Sequence, residues 1–214
     1  MVDLNKTIEQ FFTIALLNWF KSYKRDFPWR SEKAPYKILI AEKFLQQTTY
    51  GHVLKVYEKF LQKFPDMHSL SKSNDKEIAE LIKPLGFQNQ RARQLVKLSK
   101  LLVKDHKGNI PREIEDLMKL PGIGKYIASS VACFAFNQDT PIIDVNVRRV
   151  LGRIFSWGNG NDNELFSHLA KMLPKGKSKE FNWGMIDFSA LICSRKPKCK
   201  KCFFNLRCLY ARAS

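Results

Sequence analysis

The chain has 214 residues with Lys+Arg 37 against Asp+Glu 20, a formal charge of +17, and its 44% hydrophobic content with 16 Phe excludes a disordered polyelectrolyte. Such a length builds one large domain or two small ones around a real core, and the basic excess points to a polyanionic partner, because cationic patches release condensed counterions from nucleic acid. No segment reaches the roughly 18 uninterrupted apolar residues of a membrane helix, and Asp3, Lys6 and Glu9 break the N-terminal stretch as a signal peptide; a cytoplasmic, nucleoid-associated protein with no membrane partner and with free thiols is expected.

Apolar residues recur with helical period along the whole chain, and no alternating strand run of useful length occurs, which predicts an all-α fold with short connections. Helices are expected over about 8–23, 36–49 and 51–64. On the second of these Glu42 lies on the stripe of Ile38, Leu45 and Thr49, where a carboxyl is costly unless it is used or paired; a glutamate at the solvent edge would share that pattern. Ser73-Asn74-Asp75 opens a run ended by Pro84 and Gly86. In 88–104, Ala92, Leu95, Val96, Ser99, Leu102 and Val103 form one stripe, while Arg91, Arg93, Lys97 and Lys100 form a basic cluster.

A short helix over 112–119 leads into Leu120-Pro121-Gly122-Ile123-Gly124-Lys125-Tyr126. Glycines at 122 and 124 allow backbone conformations and close approaches closed to other residues, and the N–H groups of a helix starting at Lys125 favour a phosphate oxygen. An ordinary turn between helices has the same form. Asp144 precedes the helix expected over 145–155, where it can cap the N-terminus and sit beside whatever the glycine turn holds. Helices over 162–172 and 181–193 follow, separated by the loop-like 171–179.

Cys193, Cys199, Cys202 and Cys208 are spaced C-x5-C-x2-C-x5-C. Four thiolates so close in sequence can enclose one metal centre with little loop-closure cost, and the spacing alone suits zinc and an iron–sulfur cluster equally. Cys133 stands apart in an apolar helix and reads as a small core residue.

Taken together, these blocks resemble the helix-hairpin-helix DNA glycosylases, a superfamily that includes endonuclease III and the adenine-DNA glycosylases. The resemblance runs from Phe27-Pro28-Trp29-Arg30 through Glu42, Leu45-Gln46-Gln47-Thr48, Leu85-Gly86-Phe87, Leu120–Gly124 and Ile143-Asp144-Val145-Asn146 to Cys208. It implies two helical lobes, 27–138 and 1–26 with 139–214, with duplex DNA bound across the cleft by a monomer. It also implies a 4Fe–4S cluster on Cys193, Cys199, Cys202 and Cys208, although the first cysteine gap is one residue shorter than is usual in the family, and it raises a monovalent cation at the hairpin.

The resemblance further implies site roles. Asp144, Tyr126, Glu42 and Asn146 are the catalytic candidates, and Gln46, Gln47, Thr48, Gly122, Gly124, Lys125 and Arg91 the DNA-binding ones. The residue after Lys125 is a nucleophilic lysine in bifunctional members; Tyr126 in its place implies a monofunctional enzyme with at most weak lyase activity. Thr48-Thr49-Tyr50-Gly51-His52-Val53 and Met185-Ile186-Asp187-Phe188 are similar to thymine-removing G/T mismatch enzymes, whereas Gln46-Gln47 is similar to the adenine enzymes. Removal of thymine or uracil opposite guanine is the leading expectation. Adenine removal opposite 8-oxoguanine or guanine is the alternative, and a non-catalytic iron–sulfur DNA-binding module or a zinc-stapled regulator is the reading from another class.

Overall fold

The computed structural model describes residues 7–157 and 161–213, which form helices and turns with no strand among them. They divide into two compact units: Phe27–Phe136, and the segments up to Asp26 and from Asn137 onward. Helix α1 (Ile8–Tyr23) opens on a capping box in which Thr7 and Gln10 satisfy each other's backbone amides.

The continuous unit contains α2 (Pro28–Ser31), α3 (Pro35–Leu45), α4 (Tyr50–Lys63), α5 (Met67–Ser71), α6 (Asp75–Leu81), α7 (Gln88–His106), α8 (Ile114–Met118) and α9 (Lys125–Phe136). Helices α2 and α3 each start on a proline, whose missing N–H costs nothing in the first turn. Helix α3 is buried along nearly its whole length, with Leu39, Ile40, Ala41 and Phe44 packed in a core that also takes Phe60 from α4 and Ala128, Val131 and Ala132 from α9. Embedded in this way, α3 places Glu42 and Lys43 inside the protein, each 4% exposed.

The structure ends α3 at Leu45 and not at residue 49 as its periodicity predicts. Gln47 adopts φ 51°, the left-handed conformation that stops a helix, and Arg91 holds the carbonyls of Lys43 and Gln46. The other expected helices differ from their ranges by a few residues at their ends, and the short helices Pro28–Ser31, Met67–Ser71 and Leu209–Ala213 were not expected, being too short to show a period.

The second unit is built from both sides of the insertion: α1, α10 (Val145–Phe155), α11 (Asp162–Met172), α12 (Ser178–Leu191) and α13 (Leu209–Ala213). Phe12 of α1 lies edge-on to Phe155, Phe188 and Phe204, with centroids 5.6, 6.1 and 5.2 Å away. Asp187, fully buried in α12, accepts from the Arg25 amide at 2.9 Å and from its guanidinium at 2.6 Å, tying the end of the first segment to the second. Among the described residues no helix is long and apolar enough to cross a membrane.

Candidate functional site

In the continuous unit, Glu42 on α3 faces α9. Burial raises its carboxyl from 4.5 to about 7, partly offset by the Ser130 hydroxyl, the Arg30 charge and the Tyr126 hydroxyl. Ser130 lies four residues after Tyr126, on the same face of α9. Neither Glu42 Oε2 nor Ser130 Oγ has a partner at full hydrogen-bonding geometry. A buried carboxyl left with an open oxygen can exchange a proton with an incoming polar group.

The hairpin at Leu120–Lys125 turns on Gly122, at φ 71°. A side chain there would be strained, and its Cβ would come within 3.0 Å of Lys43 Nζ and 3.3 Å of Gln94 Oε1. At Gly124 a Cβ would meet nothing within 4 Å, so the space over this residue is open to an approaching group. Gly124 and Lys125 are exposed where α9 begins, and the first amides of a helix lack acceptors within it. The hairpin is supported from inside by Lys43, whose ammonium donates to Gly122 O at 2.9 Å and to Gln94 Oε1 at 3.2 Å. Burial, and secondarily the Arg91 charge, lower this lysine to about 8.

Gln46, Gln47 and Thr48 form the tight turn after α3, with Gln47 exposed. Arg91, a candidate for DNA contact, is half-buried and bonds within the protein. Its Nε donates to Gly86 O at 3.0 Å and Nη1 to Lys43 O at 3.0 Å, while Nη2 donates to Gln46 O and to Thr48 Oγ1 at 2.9 Å. These bonds take four of the five N–H groups of the guanidinium, so Arg91 shapes the turn from within. Thr48 Oγ1 in turn donates to Leu85 O at 3.1 Å. This stitching brings the turn beside Phe87, which is 65% exposed and left-handed at φ 50°. An exposed phenylalanine held in a strained backbone is uncommon outside functional surfaces. Nothing in the sequence marks Phe87 as exposed, since a phenylalanine ordinarily belongs to a core.

In the second unit, Asp144 caps α10. Its Oδ1 accepts from the amides of Asn146 and Val147 at 2.9 and 2.7 Å, and its Oδ2 from Asn146 Nδ2 at 2.8 Å. Asn146 Oδ1 accepts from Arg149 Nη1 at 2.8 Å, which fixes the amide so that its NH2 points at Asp144. Arg149 also donates to Cys193 O at 3.2 Å and Ser189 O at 3.0 Å. One turn on, Arg153 reaches Cys193 Sγ at 3.6 Å and the carbonyls of Ser194 and Arg195. One face of α10 therefore holds both the Asp144–Asn146 pair and the start of the cysteine loop. Arg149, Lys43 and Ser130 were all missed by sequence reasoning.

Cys193 and Cys208 are buried, and Cys199 and Cys202 are half-buried. Burial pushes Cys202 up to about 11, and the charges of Cys208, Cys193 and Cys199 add to this, which places all four sulfurs in one neighbourhood. The Phe204 amide donates to Cys202 Sγ at 3.4 Å. Among the described residues, no three His, Cys, Asp or Glu side chains are arranged to hold a metal ion directly. Four soft donors in one loop, two of them receiving N–H groups on sulfur, have the donor chemistry of a thiolate-bound metal centre.

Residues 40–175 match the family described as HhH-GPD superfamily base excision DNA repair protein. The chain is 40% identical to the thymine/uracil-DNA glycosylase of Methanothermobacter thermautotrophicus, over 98% of this chain and 97% of that protein. It is 36% identical to the adenine DNA glycosylase of Buchnera aphidicola subsp. Baizongia pistaciae, over 92% of this chain but 57% of that protein. Among solved structures, that of a thermostable thymine-DNA glycosylase superposes with a TM-score of 0.93 at 40% identity, covering 96% of this chain and 97% of the other.

Proposed function

Because the chain belongs to the HhH-GPD superfamily of base excision DNA repair proteins, we propose that it is a monofunctional DNA glycosylase acting, as a monomer, on duplex DNA to hydrolyse the bond between a mismatched thymine or uracil and its sugar. The observation that carries this reading is the contrast between its two carboxyls. Asp144 is an oriented acceptor, with three N–H groups on its oxygens. Glu42 is sealed from water and titrates near neutrality. Two carboxyls in opposed environments are the signature of divided labour in glycoside cleavage.

The target nucleotide first leaves the stack, at least cost when it is mispaired. The Gly122–Gly124 turn and the Lys125 helix start take a backbone phosphate. Gln46, Gln47 and Thr48 occupy the vacated position and meet the widowed base, and Phe87 stacks beside them. Asp144 stabilises the positive charge that develops on the sugar, with Asn146 holding the carboxylate and orienting water. Glu42 and Tyr126 donate to the departing base. Tyr126 cannot form a Schiff base, so at most weak strand cleavage accompanies the cycle.

Proteins of this superfamily often carry a 4Fe–4S cluster, and we assign one to Cys193, Cys199, Cys202 and Cys208. Such a cluster staples the loop that Arg149 and Arg153 grip. A brown protein with iron and sulfide bears this out, and a colourless one with zinc refutes it.

The test of function is base release from duplexes containing G/T, G/U, A opposite 8-oxoguanine, A/G and G/C, read before and after hot alkali. Release from G/T and G/U, with strand breaks only after alkali, is the expected result. Release of adenine would make Gln46-Gln47 the better guide to substrate. Tight binding with no release from any duplex would leave the non-catalytic reading standing.

A further inference from the structure

Lys43 and Arg91 are neighbouring cations inside the continuous unit. Among the described residues neither has a carboxylate partner: the Lys43 ammonium is bonded to Gly122 O and Gln94 Oε1, and Arg91 to three carbonyls and the Thr48 hydroxyl. Lys43 is buried and Arg91 half-buried, and a buried ammonium without a counter-charge is costly, so the arrangement calls for a reason beyond stability.

The position of Lys43 supplies one. Its side chain holds the hairpin at Gly122, while its own carbonyl is held by Arg91, which organises the Gln46–Thr48 turn. Gln94 and Arg91 lie three residues apart on α7 and close the frame. The two turns assigned to DNA are thus tied to a single residue that is itself buried.

We propose that Lys43 is a positioning residue for DNA binding: its ammonium sets the hairpin relative to the Gln46–Thr48 turn and lends it positive charge from behind, without touching DNA. The inference rests on the reading of the hairpin as a phosphate site. Gly122 fits it, since a Cβ there would come within 3.0 Å of Lys43 Nζ and crowd its place against the hairpin.

A phosphate arriving above the hairpin favours the charged lysine, so DNA binding and Lys43 protonation are linked reciprocally. Lys43 loses its proton at about 8, and binding should weaken as the pH rises through that value. The groups facing it are Arg91 and neutral Gln94 on α7, and the Gly122 carbonyl on the hairpin. On its own helix Glu42, at about 7, completes its titration in the lower part of the pH range and is ionised through the upper part, so the loss above pH 8 belongs to Lys43.

The experiment is equilibrium binding of a fluorescein-labelled undamaged duplex from pH 7.5 to 9.5, at several salt concentrations. Lys43→Met should weaken binding roughly tenfold at pH 7.5, equivalent to ~1.4 kcal/mol, flatten the pH profile and leave the salt slope unchanged. Wild-type affinity in the variant would overturn the proposal. So would a salt slope smaller by about one, the mark of a lysine that contacts phosphate directly. Gln94→Glu gives an independent arm, since a carboxylate beside the ammonium raises its pKa: the alkaline loss of binding should move to higher pH. An unmoved profile overturns the proposal even if Lys43→Met does not fold. Failure of the wild type to bind any duplex would instead remove the reading of the hairpin.

Discussion

Replacing Glu42 by Gln should change how stability depends on pH. Below 4.5 the carboxyl is neutral in both folded and unfolded chains. Between 4.5 and about 7 the unfolded chain gives up its proton first, so the folded state loses stability as the pH rises, and above 7 the loss is complete. At roughly 1.4 kcal/mol per pH unit, the group removes about 3 kcal/mol of stability across that window. With Glu42 at 4% exposure, solvent screens little of this. Glu42→Gln has no charge to desolvate, so the stability of variant minus wild type should climb by about 3 kcal/mol between pH 4.5 and 8. Urea unfolding at pH 4.5, 5.5, 6.5 and 8, followed by tryptophan fluorescence, measures it. The variation with pH is the decisive quantity, because the new amide also brings a buried NH2 whose own cost is independent of pH. Parallel stability curves for the two proteins would refute the argument. In single-turnover assays the same variant should release thymine less than about 10²-fold more slowly, the low end of general-acid contributions, since thymine can leave as an anion held by hydrogen bonds.

Asp144→Asn should abolish base release while retaining DNA binding, and should cost under about 1 kcal/mol in thermal unfolding because Asn caps helices nearly as well as Asp; near-normal turnover would remove Asp144 from the mechanism. Tyr126→Lys should introduce strand cleavage, detected as a borohydride-trapped covalent adduct with DNA, and absence of the adduct would show that the α9 start does not aim a side chain at the sugar. Arg149→Met removes the bonds to Asn146, Ser189 and Cys193; release from G/T should slow by at least about tenfold, one charge-assisted bond of ~1.5 kcal/mol, with duplex affinity unchanged. Equal turnover would show that Asp144 keeps its orientation through the backbone amides alone.

What could be read from the chain depended on what kind of partner each residue has. The helices were legible because apolar period belongs to sequence. The oddity of Glu42 was legible because a carboxyl on the stripe of Ile38 and Leu45 breaks the pattern. Lys43, next to it, gave no such signal. A lysine on a helix ordinarily reaches water, and its partner is a backbone carbonyl 79 residues away; every residue has a carbonyl, so no residue type announces it. The bonds of Arg91 were hidden for the same reason, since it stands beside Arg93 in a basic cluster while they run to carbonyls up to 48 residues distant. Phe87 failed in the opposite direction. A phenylalanine reads as core, and only the left-handed backbone that follows Gly86 turns it outward. Arg149 sits in a visibly basic helix, but its link to Cys193 appears only when α10 and α12 pack together.

The order in which the chain is made gives the discontinuous unit a further meaning. Helix α1 leaves the ribosome early, yet Thr13 finds its acceptor, Met172 O, 159 residues later, and Arg25 finds Asp187 after 162. The segment Phe27–Phe136 can close its own core in the interval, since domains fold largely as units during synthesis. The unit that carries Asp144 is then completed last, around a helix that has waited throughout translation. A nascent chain would thus complete the unit that holds the Gly122–Gly124 hairpin well before the unit that holds Asp144.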